Sequence, residues 1–312
     1  MEKLRKFVNQ YFGWILTCSC FIGFLMPEVG SFTTYLIPIM LSIVIFSAYF
    51  QLDLTPQVLK SGIYKGTIYF FLRFVLIPVV AFYIFSQISA FWGTAMLLMT
   101  LLPAAVASPA FSSMFGGNVH LSLTNVLLSN VLSPFYIPLI CSYFVHNEKS
   151  IDNTGMFITL ALTVILPFII HFPLRQVKVF SDTMKLYNPL ISVFSVSLMF
   201  VFAVARYRHM LLDNLHLVIP YIFIAFLTFT IYYVVGWFLI PKSEKVDRIT
   251  YSTSSGANNI GLGVTLTILY FPADINLFFI VSQLTWAFVL MPARVVFGKI
   301  VLKKREENHI FD

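Results

Sequence analysis

Apolar runs recur from one end of this chain to the other, with little polar sequence between them. A helix that crosses a bilayer needs about 20 mostly apolar residues. Ten segments meet that need: 11–27, 34–52, 66–86, 91–114, 119–144, 156–174, 187–205, 216–240, 250–270 and 273–297. Only 11% of the 312 residues are charged, against about a quarter in a soluble chain. The expected fold class is therefore an all-α polytopic membrane protein with ten transmembrane helices. It forms a single membrane domain over 1–312, with a short basic cytoplasmic tail at 299–312.

The net charge of +7 does not imply nucleic acid, because the basic residues sit in loops and tails. With the N-terminus inside, fifteen of the twenty Lys and Arg lie on the cytoplasmic side. Lys149, Arg206 and Arg208 lie outside, and Arg73 and Arg294 fall within helices. The positive-inside rule then puts both termini in the cytoplasm of a multi-pass cell membrane protein. Cys18, Cys20 and Cys141 read as inert core thiols. The histidines, His120, His146, His171, His209, His216 and His309, are scattered and lack metal-ligand spacing, so each reads as an interfacial surface residue.

Two polar stretches interrupt this pattern: PAAVASPAFSSMFGGN (103–118) in the fourth span and STSSGANNIG (252–261) in the ninth. Backbone that leaves the helix inside a bilayer must be buried in protein or line a water-filled cavity. Pro109 removes a backbone donor, and Gly256, Gly261 and Gly263 permit close approach. Ser108, Ser112, Ser113, Ser254, Ser255, Asn258 and Asn259 carry oxygens and amides that could face such a cavity. Helix packing is the competing reading, since small and hydroxyl residues also cross-link membrane helices. The adjacent carboxamides at 258–259 favour a cavity, because each demands several hydrogen-bond partners. Ten spans split five plus five, which forces the second half upside down relative to the first. Inverted repeats at about 10–145 and 155–298 would bring the two interruptions to equivalent positions, the usual layout of a transporter's central site.

Arg73, in GTIYFFLRFVLIPVVAF, is the second signal. No Asp or Glu lies mid-helix to pair with it. It either snorkels to the cytoplasmic interface, pairs with carbonyls, or meets an anion from outside the chain. The missing intramembrane acid also argues against a proton antiporter and against membrane enzymology. No catalytic residue and no cofactor is expected.

These motifs resemble the bile acid:sodium symporter family. Residues 103–139 follow that family's helix 4–5 pattern without a gap through Gly117, Leu121, Ser122 and Pro134. SGANNIGLGVTL (255–266) is similar to its helix 9 motif, LRFVLIP (72–78) to its helix 3 motif, and IPIMLSIVIFSAYFQL (37–52) more loosely to helix 2. The resemblance implies broken helices 4 and 9 crossing in a core domain, beside a smaller panel. It also implies sodium ligands. Here the chain departs: a glutamate aligns with Ser254, a glutamine with Asn258, a helix 3 glutamine with Arg73, the Ser-Asn pair with Ser108-Pro109, and a threonine with Val126. The only ionised ligand is gone, and a guanidinium repels a nearby cation. A residual sodium site would rest on Ser108, Ser122, Ser254 and Asn258. One reading is that Arg73 supplies the charge of a sodium ion.

The expected function is a secondary transporter of an organic anion, carboxylate or steroid-acid-like, working by alternating access with sodium coupling weakened or lost. The substrate- or ion-binding residues would be Arg73, Ser108, Pro109, Ser112, Ser122, Ser254, Ser255, Asn258 and Asn259. The partners are the small-molecule anion and the lipid bilayer. The alternative is a non-transporting membrane sensor on the same fold.

Overall fold

A computed structural model describes residues 3, 4, 7, 8, 11–27, 29, 30, 32–52, 56–145 and 151–309. Arg5, Lys6, His146, Lys149 and the tail beyond His309, which enter the sequence reading, lie outside them. So do the side chains of Lys60, Arg294 and residues 298–309.

The described chain is helical. Helix α1 is Phe12–Leu25 and α2 is Thr33–Tyr49. Helix α3 runs as Pro56–Phe70, a π-helical turn Phe71–Leu76 and Ile77–Ser86. The fourth predicted span is two helices, α4 (Ala90–Leu101) and α5 (Ser108–Met114), followed by α6 (Val119–Phe144). Helix α7 runs as Asn153–Leu160, a π-helical turn Ala161–Ile165 and Leu166–Gln176. Then come α8 (Lys178–Arg206), a short α9 (Arg208–Asp213) and α10 (Leu215–Phe238). The ninth predicted span is also two helices, α11 (Lys245–Gly256) and α12 (Ile260–Tyr270). Helix α13 spans Ala273–His309, so the backbone of 299–309 continues the last helix.

Each π turn has a local cause. Pro78 and Pro167 follow the two turns closely. A proline has no N–H to give four residues back and crowds that carbonyl, which the wider turn relieves.

Among the described residues, five helices are long and apolar enough to cross a membrane: Gly62–Ser86, Val119–Phe144, Asn153–Gln176, Lys178–Arg206 and Leu215–Phe238. Trp14–Leu25, Thr33–Tyr49, Ala90–Leu101 and Ile260–Tyr270 are shorter apolar helices. The exterior carries Trp14, Tyr35, Leu139, Ile219 and Phe223, all exposed. The interior hides Asn125, Asn130, Ser129, Ser254 and Asn258. This inversion of the soluble pattern suits a multi-pass membrane protein, whose solvent outside is hydrocarbon and whose backbone must be satisfied within.

Helix α8 packs along α1 and α2, and α7 packs along α2. Elsewhere α3 packs on α4 and α6, while α10 packs on α11 and α13. Helices α5 and α12 lie against α6 and α13 respectively. One expectation fails here. His171 is not an interfacial residue: it is fully buried among Tyr49, Phe50 and Phe172, and neither ring nitrogen has a hydrogen-bond partner. Its place on α7 is set by the aromatic packing of that helix on α2.

Candidate functional site

The two broken helices meet at their breaks. Residues 102–107 separate α4 from α5, and 257–259 separate α11 from α12. The strands of backbone pair antiparallel at Ala104 and Asn258. Ala105 N donates to Ala257 O at 2.7 Å, and Asn259 N donates to Pro103 O at 2.7 Å.

Many of the backbone groups freed by the breaks have a partner within the protein, as burial away from water requires. At the C-terminal end of α4, Met99 O accepts from Asn258 Nδ2 (3.2 Å), Thr100 O from Arg73 Nη1 (2.7 Å) and Leu101 O from Tyr136 OH (2.8 Å). Ala104 donates its N–H to Ser129 Oγ (3.1 Å) and accepts at its carbonyl from Asn130 Nδ2 (2.8 Å). Ser108 Oγ donates to Ala257 O at 3.1 Å. On α11, Ser255 O accepts from Arg73 Nη2 at 3.3 Å. Asn259 caps α12, its Oδ1 accepting from Leu262 N at 3.2 Å.

A cavity of about 610 Å³ lies against this crossing. One wall is apolar, from Leu16 of α1, Leu41 and Ile45 of α2, and Val196, Met199 and Phe200 of α8. The opposite wall is the crossing itself, with Ala105, Pro109, Ser113, Asn258, Asn259 and Gly261. Gln51, Asn188, Ser192, Gln283 and Trp286 complete the polar lining. Among the described residues, no ionised side chain lines it.

The nine candidate residues divide sharply. Pro109, Asn258 and Asn259 face the cavity. Ser108 closes the break from behind. Ser112 Oγ lies 3.1 Å from Thr250 Oγ1, in a polar knot that ties the start of α6 to α11. Asn118 N donates to Thr250 Oγ1 (2.7 Å), and Asn118 Nδ2 donates to Asp247 Oδ1 (3.1 Å). Asp247 pairs with Lys65 at 2.6 Å. Ser254 Oγ accepts from Asn125 Nδ2 at 3.4 Å, and Ser255 Oγ lies 2.8 Å from Tyr69 OH. Ser122 Oγ is buried with no partner.

Arg73 is fully buried, so it does not snorkel, and it is not among the residues that line the cavity. It sits in the π turn of α3. Its geometry is that of carbonyl pairing, with the guanidinium carbon 4.7 Å from the Tyr232 ring centre and 5.1 Å from that of Phe74.

A hard cation needs a shell of oxygens turned to one point. Of Ser108, Ser122, Ser254 and Asn258, two have their oxygens engaged in hydrogen bonds within the protein. Ser108 Oγ donates to a carbonyl and Ser254 Oγ accepts from an amide, whereas Ser122 Oγ and Asn258 Oδ1 lack partners, as do Asn125 Oδ1 and Asn130 Oδ1 on α6. Among the described residues, no group of three His, Cys, Asp or Glu could hold a metal ion.

Sequence reasoning missed Asn125, Ser129 and Asn130, which sit one and two helical turns beyond Ser122 on α6 and reach the crossing. It also missed Gln51, Asn188, Ser192 and Gln283. These are single polar residues in or beside apolar spans, and that isolation among apolar neighbours is the signal that could have found them.

Discontinuous helices, paired at their breaks beside a cavity in a bundle of apolar helices, define a membrane transport protein. The comparison with known families agrees. Residues 10–299 match the model of the SBF-like CPA transporter family, and the chain belongs to that family. It is 25% identical over 283 residues to the uncharacterised sodium-dependent transporter YocS of Bacillus subtilis, covering 87% of this chain and 85% of that one. It is 23% identical over 197 residues to the uncharacterised protein YbaS of the same organism, covering 61% of this chain and 64%, under two thirds, of YbaS. A third similarity, 25% over 146 residues, is to the probable sodium/metabolite cotransporter BASS1 of rice chloroplasts, covering 46% and 34%.

Proposed function

We propose that this chain is a secondary transporter of an organic anion, carboxylate or steroid-acid-like, that works by alternating access. The observation that carries the reading is the 610 Å³ cavity held between the paired breaks and the apolar face of α1, α2 and α8. The apolar wall suits a hydrophobic body. The N-terminal end of α12, capped by Asn259 at the cavity edge, carries the partial positive charge that favours an anionic group.

Ten membrane helices in two inverted halves account for the pattern of packing. Helix α3 contacts the broken pair's first helix α4 and also α6; α10 likewise contacts α11 and α13. Helix α8 lies on α1 as α7 lies on α2. Each relation maps onto its partner when the halves are exchanged.

The cavity extends from the crossing toward the end of the bundle that holds Gln51 and the start of α6. At the opposite end the walls are clasped. Asn276 Nδ2 donates to Tyr207 OH at 3.2 Å, and Thr159 Oγ1 lies 2.6 Å from Tyr270 OH. With the N-terminus cytoplasmic, as the distribution of Lys and Arg favours, this is an inward-facing arrangement. Transport requires those outer clasps to part while the inner cavity closes.

The test is uptake into proteoliposomes of a labelled steroid carboxylate, a 2-keto acid and a short dicarboxylate, each with and without a sodium gradient. Saturable uptake of one of them, cut by Asn259→Asp, is expected, because a carboxylate at the cavity edge repels the substrate. Binding without flux would replace the carrier with a sensor. Neither binding nor flux across the panel would remove the anion reading.

A further inference from the structure

Two helices end at the crossing with their carbonyl ends converging: α4 at Leu101 and α11 at Gly256. Each end carries partial negative charge. Both lie where water does not reach, since Thr100, Leu101, Ser255 and Gly256 are all buried. Converging negative ends in a low-dielectric interior need a positive charge between them.

The guanidinium of Arg73 is that charge. One nitrogen donates to Thr100 O at 2.7 Å and the other to Ser255 O at 3.3 Å, one bond to each helix end. No carboxylate among the described residues pairs with it. Its Nε is buried without a partner, and its guanidinium also lies against the faces of Tyr232 and Phe74, which attract a cation without neutralising it. The π turn that holds Arg73 also aims it, by rotating residue 73 away from the register of an uninterrupted α-helix. A mobile cation at this point would have to bind the same two carbonyls and would meet the guanidinium itself.

We propose that Arg73 is a resident cation: it permanently joins the carbonyl ends of the two broken helices, so the crossing is assembled without a bound sodium ion. Two relatives are named as sodium-dependent or sodium-coupled proteins. In this chain the local chemistry does not fit that ion. Arg73 is then a positioning residue. It sets the angle of α4 against α11, and so the place of Asn258, whose Nδ2 bonds to Met99 O next to Thr100 and whose residue faces the cavity. The consequence for flux rests on the transport reading, whereas the claim about cation binding does not.

The experiment is thermal unfolding of the purified full chain in sodium, potassium and choline chloride at matched ionic strength. Wild type, Arg73→Lys and Arg73→Gln are compared. Wild type should melt at the same temperature in all three salts. Arg73→Gln should melt several degrees lower and recover part of the loss with methylguanidinium or sodium, which a merely structural packing role would not produce. Arg73→Lys should fall between the two. A sodium-specific rise in wild type, or an Arg73→Gln protein that melts like wild type or that no small cation rescues, overturns the proposal. Should Arg73→Gln prove too unstable to purify, wild type and Arg73→Lys decide. Indifference of both to sodium supports the resident cation, and a sodium-specific rise in either refutes it. Absent flux in proteoliposomes with this melting pattern intact would sink the transport reading and leave Arg73's role standing.

Discussion

Asn130→Leu isolates what one amide contributes to the crossing. Asn130 is fully buried on α6, and its Nδ2 donates to Ala104 O at 2.8 Å, in the break between α4 and α5. It also donates to Val126 O at 2.9 Å, but that carbonyl lies inside α6 and keeps its helical bond. Ala104 O has no helical partner. Leucine keeps the branched shape, leaves no cavity and also removes the unpartnered Asn130 Oδ1, so the loss is an orphaned buried carbonyl together with the overpacking of a bulkier side chain. Such a carbonyl costs about 1–3 kcal/mol. With an unfolding entropy of about 2 cal/mol/K per residue, the shift in Tm is about 2–5 °C. Thr230→Val is the control, since Thr230 Oγ1 bonds only within its own helix, to Phe226 O. That change should cost no more than about 0.5 kcal/mol. The assay is thermal unfolding in one detergent. An Asn130→Leu protein that melts within the range of the control would refute the claim that α6 side chains hold the break. Equal losses in both would mean that the effect has nothing to do with the crossing.

Asn259→Ala removes the cap of α12 and should cost about 0.5–2 kcal/mol, while Asn259→Asp keeps the cap and should melt near wild type even as it lowers anion uptake. Gly256→Ala places a methyl into the Tyr233 ring; overpacking of this kind costs about 1–3 kcal/mol, and thermal unfolding reads it directly. Asp247→Asn breaks the bond to Lys65, whose side chain is 50% exposed, so the loss should stay under about 1 kcal/mol. A larger loss would mean that the buried carboxylate itself anchors the start of α11. Tyr270→Phe removes the hydroxyl pair with Thr159 and should raise the labelling, from the outer side, of a cysteine placed at Asn258; unchanged labelling would count against an outer clasp there.

The helices were legible because their cause is local. An apolar run has one way to satisfy its backbone in hydrocarbon, and Ala90–Leu101 or Leu215–Phe238 needs no tertiary information. The breaks were legible for the converse reason. Pro103 and Pro109 in one span, and Gly256 with two asparagines in the other, make a continuous helix costly. The π turns of α3 and α7 were not anticipated, although Pro78 and Pro167 mark both. A proline announces that a helix must yield, not whether it kinks, ends or widens.

The candidate site was legible as a place and not as a set of contacts, and the reason is a competition for polar groups. Opening a helix in the bilayer interior frees carbonyls and amides that must be satisfied before anything can be said of a ligand. Ser108, Ser129, Asn130, Tyr136 and Arg73 all serve that backbone. A residue lines the cavity only where this service leaves an atom or a face of its side chain over. Asn258 and Asn259 do both: each gives one side-chain atom to the freed backbone, at Met99 O and Leu262 N, and each still lines the cavity, where Asn258 Oδ1 has no partner. Composition cannot separate the two groups, since serine and asparagine serve both. What separates them is position relative to the bridge, and that is set by α6, whose Asn125, Ser129 and Asn130 lie far from both breaks in sequence. Arg73 belongs with the backbone group by the same test: its charge is committed to two carbonyls that the breaks created.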